Sequence, residues 1–65
     1  MNKLRLVREL RKLNQRQLSE LSHTPQALVS ALERERLKPW PKVAQRLSEV
    51  LCIPADELFP EDSSK

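Results

Sequence analysis

Residues 15–34 read QRQLSELSHTPQALVSALER, and the fold turns on them. Leu18, Leu21, Leu28, Val29 and Leu32 recur at steps of three and four, the period of helices that bury one face. Between the two apolar runs stands Ser22-His23-Thr24, long enough for a tight turn only. Asn14 opens the first run. Its side-chain oxygen can accept from the amide of Gln17 while Gln17 reaches back, an N-x-x-Q form of the capping box. Thr24 and Pro25 open the second, with the hydroxyl as N-cap and proline at the first helical position, where its missing N–H costs nothing. The spacing predicts helices over residues 15–21 and 25–34, with Leu18 and Leu21 buried on the first. Two helices crossing steeply through so short a turn need a small residue where they approach, which is Ser19. They also need a positive φ in the turn, which histidine tolerates better than most non-glycine residues, and His23 is in place for it.

Working outward, Leu4, Val7, Leu10 and Leu13 step by three with charges between them, so residues 3–12 read as a helix. Prolines at 25, 39, 41, 54 and 60 punctuate the chain, each at an element start or in a loop. Residues 38–41 form a loop leading into a helix over 41–51, which buries Val43 or Ala44 with Leu47, Val50 and Leu51. A last turn over 55–58 returns Leu58 and Phe59 to the core. Leu6 and Leu37 are expected at the surface. Apolar–polar alternation is nowhere sustained, which argues against strands. The expectation is an all-α, five-helix domain over residues 1–59 with a short polar tail at 60–65.

Composition narrows the chemistry. With 65 residues the chain is one domain. A domain this small buries only about 60% of its unfolded surface, which makes association a natural aid. One Cys and one His exclude an internal disulfide and a Cys/His zinc site, and a reducing cytosol is the expected setting. The chain has no Gly, so it carries no P-loop, dinucleotide fingerprint or nucleophile elbow. No apolar run reaches the roughly 20 residues of a membrane span. We therefore expect no catalysis, no cofactor, no metal, no small-molecule ligand and no membrane contact. Charge is unevenly spread. Residues 1–46 hold eleven Lys or Arg against four Glu, and residues 47–65 hold one Lys against five acids, giving +7 and −4. Such a dipole orients against a polyanion.

The segments Leu13-Asn14-Gln15-Arg16-Gln17-Leu18-Ser19-Glu20-Leu21-Ser22, Ala31-Leu32-Glu33-Arg34, Lys38-Pro39 and Asp56-Glu57-Leu58-Phe59, in this order and spacing, resemble the Cro/cI repressor-type (XRE) helix-turn-helix family. The resemblance covers residues 4–59 without a gap. It implies a lambda-repressor-like fold with the helix-turn-helix at the second and third helices, and a transcriptional regulator bound to double-stranded DNA as a homodimer. The third helix would enter the major groove. It further implies that Gln15, with Arg16 beside it, meets a DNA phosphate at a helix N-terminus. Arg8 and Glu33 match a structural ion pair. Pro25, Gln26, Ala27, Ser30 and Ala31 fall where the family reads base edges, and Arg34, Arg36, Lys38 and Trp40 fall on its phosphate side. Helix 4 and the segment after it match the usual dimer contact.

Several positions depart from the family pattern. His23, Glu35 and Cys52 stand where glycine is usual, Thr24 where an apolar residue is usual, and Glu35 lies beside the DNA-facing loop. Of the reading residues only Gln26 suits a bidentate adenine contact, while Ala27 and Ala31 offer a methyl surface. Sequence preference is therefore expected from Gln26, Ser30, methyl contacts and DNA shape. Trp40, between two prolines, is also a candidate packing or interface anchor. Two other readings of the same fold stay open: a protein-contact module of antitoxin or adaptor kind, and the DNA-binding part of a longer regulator.

Overall fold

Helices of 3.6 residues per turn advance 100° per residue, so a stripe stays on one face only if it alternates steps of three and four. In the computed structural model, which describes residues 2–60, the buried positions follow that rule. The first helix, α1 (Leu4–Leu10), buries Leu4, Val7 and Arg8. Leu10 continues the step of three, lies about 120° round the helix from Leu4, and is 66% exposed. The second, α2 (Gln15–Ser22), buries Leu18 and Ser22, the i+4 position. Leu21, at i+3 and expected inside, is 55% exposed. In each helix a polar residue at i+4 of a buried leucine takes an inward direction: Arg8 after Leu4, Ser22 after Leu18.

The remaining helices are α3 (Gln26–Glu33), α4 (Pro41–Leu51) and α5 (Ala55–Leu58), and the described residues contain no strand. The core is Leu4, Val7, Leu18, Val29, Leu32, Leu47, Leu51, Leu58 and Phe59, with Leu13, Leu28, Val43, Ala44, Val50 and Ile53 packed around it. Leu6 and Leu37 are exposed, as expected. The radius of gyration is 10.3 Å, close to the ~11 Å of a packed chain of this length. Of the tail, Pro60 is described; Met1 and residues 61–65 lie outside the described residues.

The capping box forms as the sequence requires. Asn14 Oδ1 accepts from the Gln17 N–H at 2.7 Å and the Asn14 N–H donates to Gln17 Oε1 at 2.9 Å. The start of α3 differs from expectation by one residue. Pro25, not Thr24, is the N-cap, at φ −55° and ψ 141°, and helical residues begin at Gln26. Thr24 is buried, and its hydroxyl donates to the carbonyl of Ser22 at 3.2 Å instead of capping. The Ser22 hydroxyl in turn donates to the carbonyl of Leu18 at 2.7 Å. A turn that spends both hydroxyls on itself leaves none for the helix ahead.

Four helices close in the same way. Lys12, His23, Glu35 and Cys52 all take φ between 55° and 61°, the left-handed region. In each case the next amide reaches back five residues: Leu13 to the Arg8 carbonyl (3.1 Å), Thr24 to Ser19 (3.0 Å), Arg36 to Ala31 (2.9 Å), Ile53 to Ser48 (3.2 Å). This is the Schellman closure, which glycine ordinarily serves. A side chain there costs about 1–2 kcal/mol per residue. The closure at Cys52 is reinforced from outside, since Arg11 donates through Nε and Nη2 to the Leu51 carbonyl at 3.0 and 2.8 Å. That puts a guanidinium on the negative end of α4, where the helix dipole favours it.

The helices are also tied by a charge pair. Arg8 Nε lies 2.5 Å from Glu33 Oε2 and its Nη2 lies 3.2 Å from Oε1, a fork-to-fork contact between α1 and the end of α3. The two side chains are 10% and 4% exposed. Arg8 Nη1 donates to the Leu13 carbonyl at 2.8 Å, and Gln15 Nε2 donates to Glu33 Oε1 at 3.0 Å. The Glu33 carboxylate thus ties α3 to α1 and α2, and the Arg8 guanidinium adds the α1–α2 turn.

Two stability measurements follow. Arg8→Ala strands the Glu33 carboxylate and should cost about 3–5 kcal/mol, whereas replacing both partners (Arg8→Met with Glu33→Leu) should recover at least half of that. Urea unfolding of the three proteins checks it, and equal losses in single and double variants would refute the burial argument. Cys52→Gly should stabilise by about 0.5–1 kcal/mol, the relief of left-handed strain less the added freedom of the unfolded chain. A rise of several degrees in Tm is expected, and a fall would show that Cys52 sits there without strain.

Candidate nucleic-acid interface

The outer face of α3 follows from what its inner face buries. Val29 and Leu32 are fully inside, so positions 26, 27, 30, 31 and 34 line the opposite side. Gln26, Ala27 and Arg34 are exposed and Ser30 and Ala31 half-buried, with Pro25 exposed at the head of the stripe. The expected reading residues therefore share one surface of one helix, open at Pro25, Gln26, Ala27 and Arg34 and partly covered at Ser30 and Ala31 among the described residues. Chemically that surface is sparse. It carries one amide, one hydroxyl and two methyl groups, ending in a guanidinium without a hydrogen-bond partner among the described residues.

The first amides of a helix have no partner inside it. In α3 these belong to Gln26 and Ala27, because the amides of Leu28 and Val29 already return to the Pro25 carbonyl. In α2 they belong to Gln15 and Arg16, since Gln17 and Leu18 return to Asn14. Both helix starts present unpaired N–H groups and the positive end of a dipole, which suits a phosphate oxygen.

Gln15 is only half-buried, and its amide nitrogen is bonded to Glu33. That bond fixes the side chain at the α2 start, while its carbonyl oxygen has no hydrogen-bond partner among the described residues. Arg16 is held loosely by Glu20 at 3.4 Å, with the side chains 79% and 67% exposed. An exposed pair of this kind restrains a side chain little. Beyond α3, Arg36 and Lys38 are exposed in the loop, and Trp40, the N-cap of α4, is 58% exposed. Trp40 is therefore not a packing anchor of this chain's own core; a proline on each side stiffens the loop instead. Glu35, the acid nearest this loop, accepts from the Asn2 amide at 3.1 Å, and Asn2 Nδ2 donates to the Leu32 carbonyl at 2.8 Å. The N-terminal segment thus holds the Glu35 carboxylate on the α1 side of the loop.

Between α1, the start of α2 and the end of α3 lies a cleft of about 210 Å³ lined by Arg5, Arg8, Gln15, Glu33 and Arg34. Sequence reasoning connects four of these residues to function but misses Arg5, because an exposed arginine in a helix gives no local signal of what it will face. It also misses Lys12 as a left-handed helix closer, because a helix read over residues 3–12 counts Lys12 as its last helical residue.

No group of three or more His, Cys, Asp or Glu among the described residues could hold a metal ion, and no helix there is long and apolar enough to cross a membrane. No curated protein matches the chain. A family model described as Helix-turn-helix matches residues 4–58, from the first residue of α1 to the last of α5. With the all-helical fold and the left-handed turn between α2 and α3, that match places the chain in the Cro/cI (XRE) type helix-turn-helix family of DNA-binding domains.

Proposed function

We propose that this protein is a sequence-specific transcriptional regulator that binds operator DNA as a homodimer, with one α3 in the major groove of each half-site. The observation that supports the reading is the stripe from Pro25 to Arg34, exposed or half-buried, on a helix that buries Val29 and Leu32 on its other face. Half-sites about one helical turn apart, roughly 34–36 Å, are what two such helices related by a two-fold axis can reach. Gln26 contacts an adenine edge, Ser30 and the methyls of Ala27 and Ala31 contribute adjacent contacts, and Pro25 sets the angle of entry. Gln15, Arg16, Arg34, Arg36, Lys38 and Trp40 lie toward the backbone. The family supports a binding role and not catalysis. Its workplace is the cytoplasm, with the DNA, and its dimer contact lies on α4 and the segment after it.

With so few groups able to read bases, phosphate contacts supply most of the affinity, which then falls steeply with salt. Discrimination concentrates in few positions. Gln26→Ala should cost about 1–3 kcal/mol against the preferred base pair at one operator position and leave binding to unrelated duplex nearly unchanged. Selection of sites from random DNA, followed by anisotropy titrations of wild type and variant at fixed salt, measures this. A loss spread evenly over all sequences would remove Gln26 from the reading role. Failure of the wild type to bind any duplex would favour the protein-contact module.

A further inference from the structure

Five side chains line the cleft beside α3, and only part of their charge is spent within it. Glu33 and Arg8 neutralise one another through the fork-to-fork contact, and Gln15 takes a further place on Glu33. Glu33 therefore enters the cleft as a satisfied group and not as a free anion. Two guanidinium groups remain. Arg34 has no hydrogen-bond or ion-pair partner among the described residues. Arg5 touches only Glu9, through Nε at 3.1 Å, with side chains 72% and 53% exposed. Its Nη1 and Nη2 have no partner among the described residues, and a helical pair this open restrains the side chain weakly. The cleft thus has one cation without a partner among the described residues, Arg34, one held only by an open ion pair, Arg5, and the Gln15 carboxamide beside them. Its volume of about 210 Å³ leaves room for a phosphate group with some of its water.

We infer that Arg5 is a DNA contact, and that Arg5, Gln15 and Arg34 hold a single backbone phosphate in this cleft between α1, α2 and α3. The inference rests on the DNA-binding reading proposed above and adds to it a residue of α1, which gives the first helix a direct part in docking. A planar guanidinium can meet two phosphate oxygens at once, so arginines on opposite walls bracket the group and Gln15 closes one side. Such a contact carries no sequence information. It fixes how far α3 advances into the groove and at what angle.

The test is the salt dependence of binding. Arg5→Gln should weaken binding to duplexes of unrelated sequence by one common factor and make the slope of log K against log salt shallower by about one. Arg5→Lys should keep most of the slope, because it keeps the charge. Both variants should melt with the wild type, since Arg5 is exposed. Unchanged affinity and slope in Arg5→Gln, with wild-type duplex binding intact, would overturn this inference and leave the DNA-binding reading standing. A wild type that binds no duplex at any salt would overturn both. Inorganic phosphate at the concentration of duplex phosphate is the second arm. If it binds tightly while Arg5→Gln leaves duplex binding unaltered, the cleft takes free anions and the backbone assignment fails.

Discussion

A guanidinium removed from water must find compensation for its charge and for each of its N–H groups, or the fold that buries it does not persist. Arg8 finds this in two places. The Glu33 carboxylate takes its Nε and Nη2, and the Leu13 carbonyl takes its Nη1. The partners belong to segments far apart in sequence, so the arginine can be satisfied only when α1, the α1–α2 turn and the C-terminal end of α3 are together. Hydrophobic burial alone would hold these helices with more latitude, because leucine contacts are non-directional. The charged fork adds direction. Whatever α3 presents to a partner therefore depends on an arginine that never needs to touch that partner. The same carboxylate also accepts from Gln15, so the start of α2 is set by the group that sets the end of α3.

A second constraint comes from the backbone. The chain has no glycine, yet four of its helices end in the left-handed region. The geometry is over-determined by what surrounds each closure: a five-residue back-bond in every case, Arg11 on the Leu51 carbonyl at the end of α4, and the Asn2 amide on the Glu35 side chain after α3. Local strain of about 1–2 kcal/mol at a site persists only where such neighbours hold it. Because α2 and α3 are joined through one of these closures, the crossing that exposes α3 is fixed by backbone hydrogen bonds around His23 as much as by side-chain packing.

What could be read in advance follows from which physical rules are local. The Asn14–Gln17 cap is a matter of four residues, and it forms as written. The tolerance of His23 for positive φ is likewise local. Leu21 lies outside because apolar character alone does not decide between i+3 and i+4, and the inward place goes to Ser22, which bonds a carbonyl one turn back. Leu10 lies outside because strict steps of three drift round the helix, while Arg8, i+4 from Leu4, is drawn inside by a distant carboxylate. Thr24 and Pro25 present an ambiguity that sequence cannot resolve, since a threonine before a proline can cap forward or bond backward. The hydroxyl bonded back into the turn, which moved the start of α3 to Gln26. Arg5 was invisible for a different reason: its significance lies in the wall opposite, which α3 supplies.

The sparse outer face of α3 and the charge distribution bear on each other. A helix that offers one carboxamide and one hydroxyl to base edges cannot build a large specificity ratio from hydrogen bonds, because each bidentate contact discriminates by only about 1–3 kcal/mol. In the proposed reading, selectivity then rests on the energy of deforming the duplex to fit a frame of phosphate contacts, which varies with sequence at positions never touched. That mechanism requires a frame of phosphate-holding groups, and the Arg8–Glu33–Gln15 junction fixes the start of α2 and the end of α3 relative to one another. The acids Glu49, Asp56 and Glu57 are exposed on α4 and α5. In the proposed reading, the uneven charge along the chain, +7 over residues 1–46 and −4 over residues 47–65, orients the protein against a polyanion before any base is read.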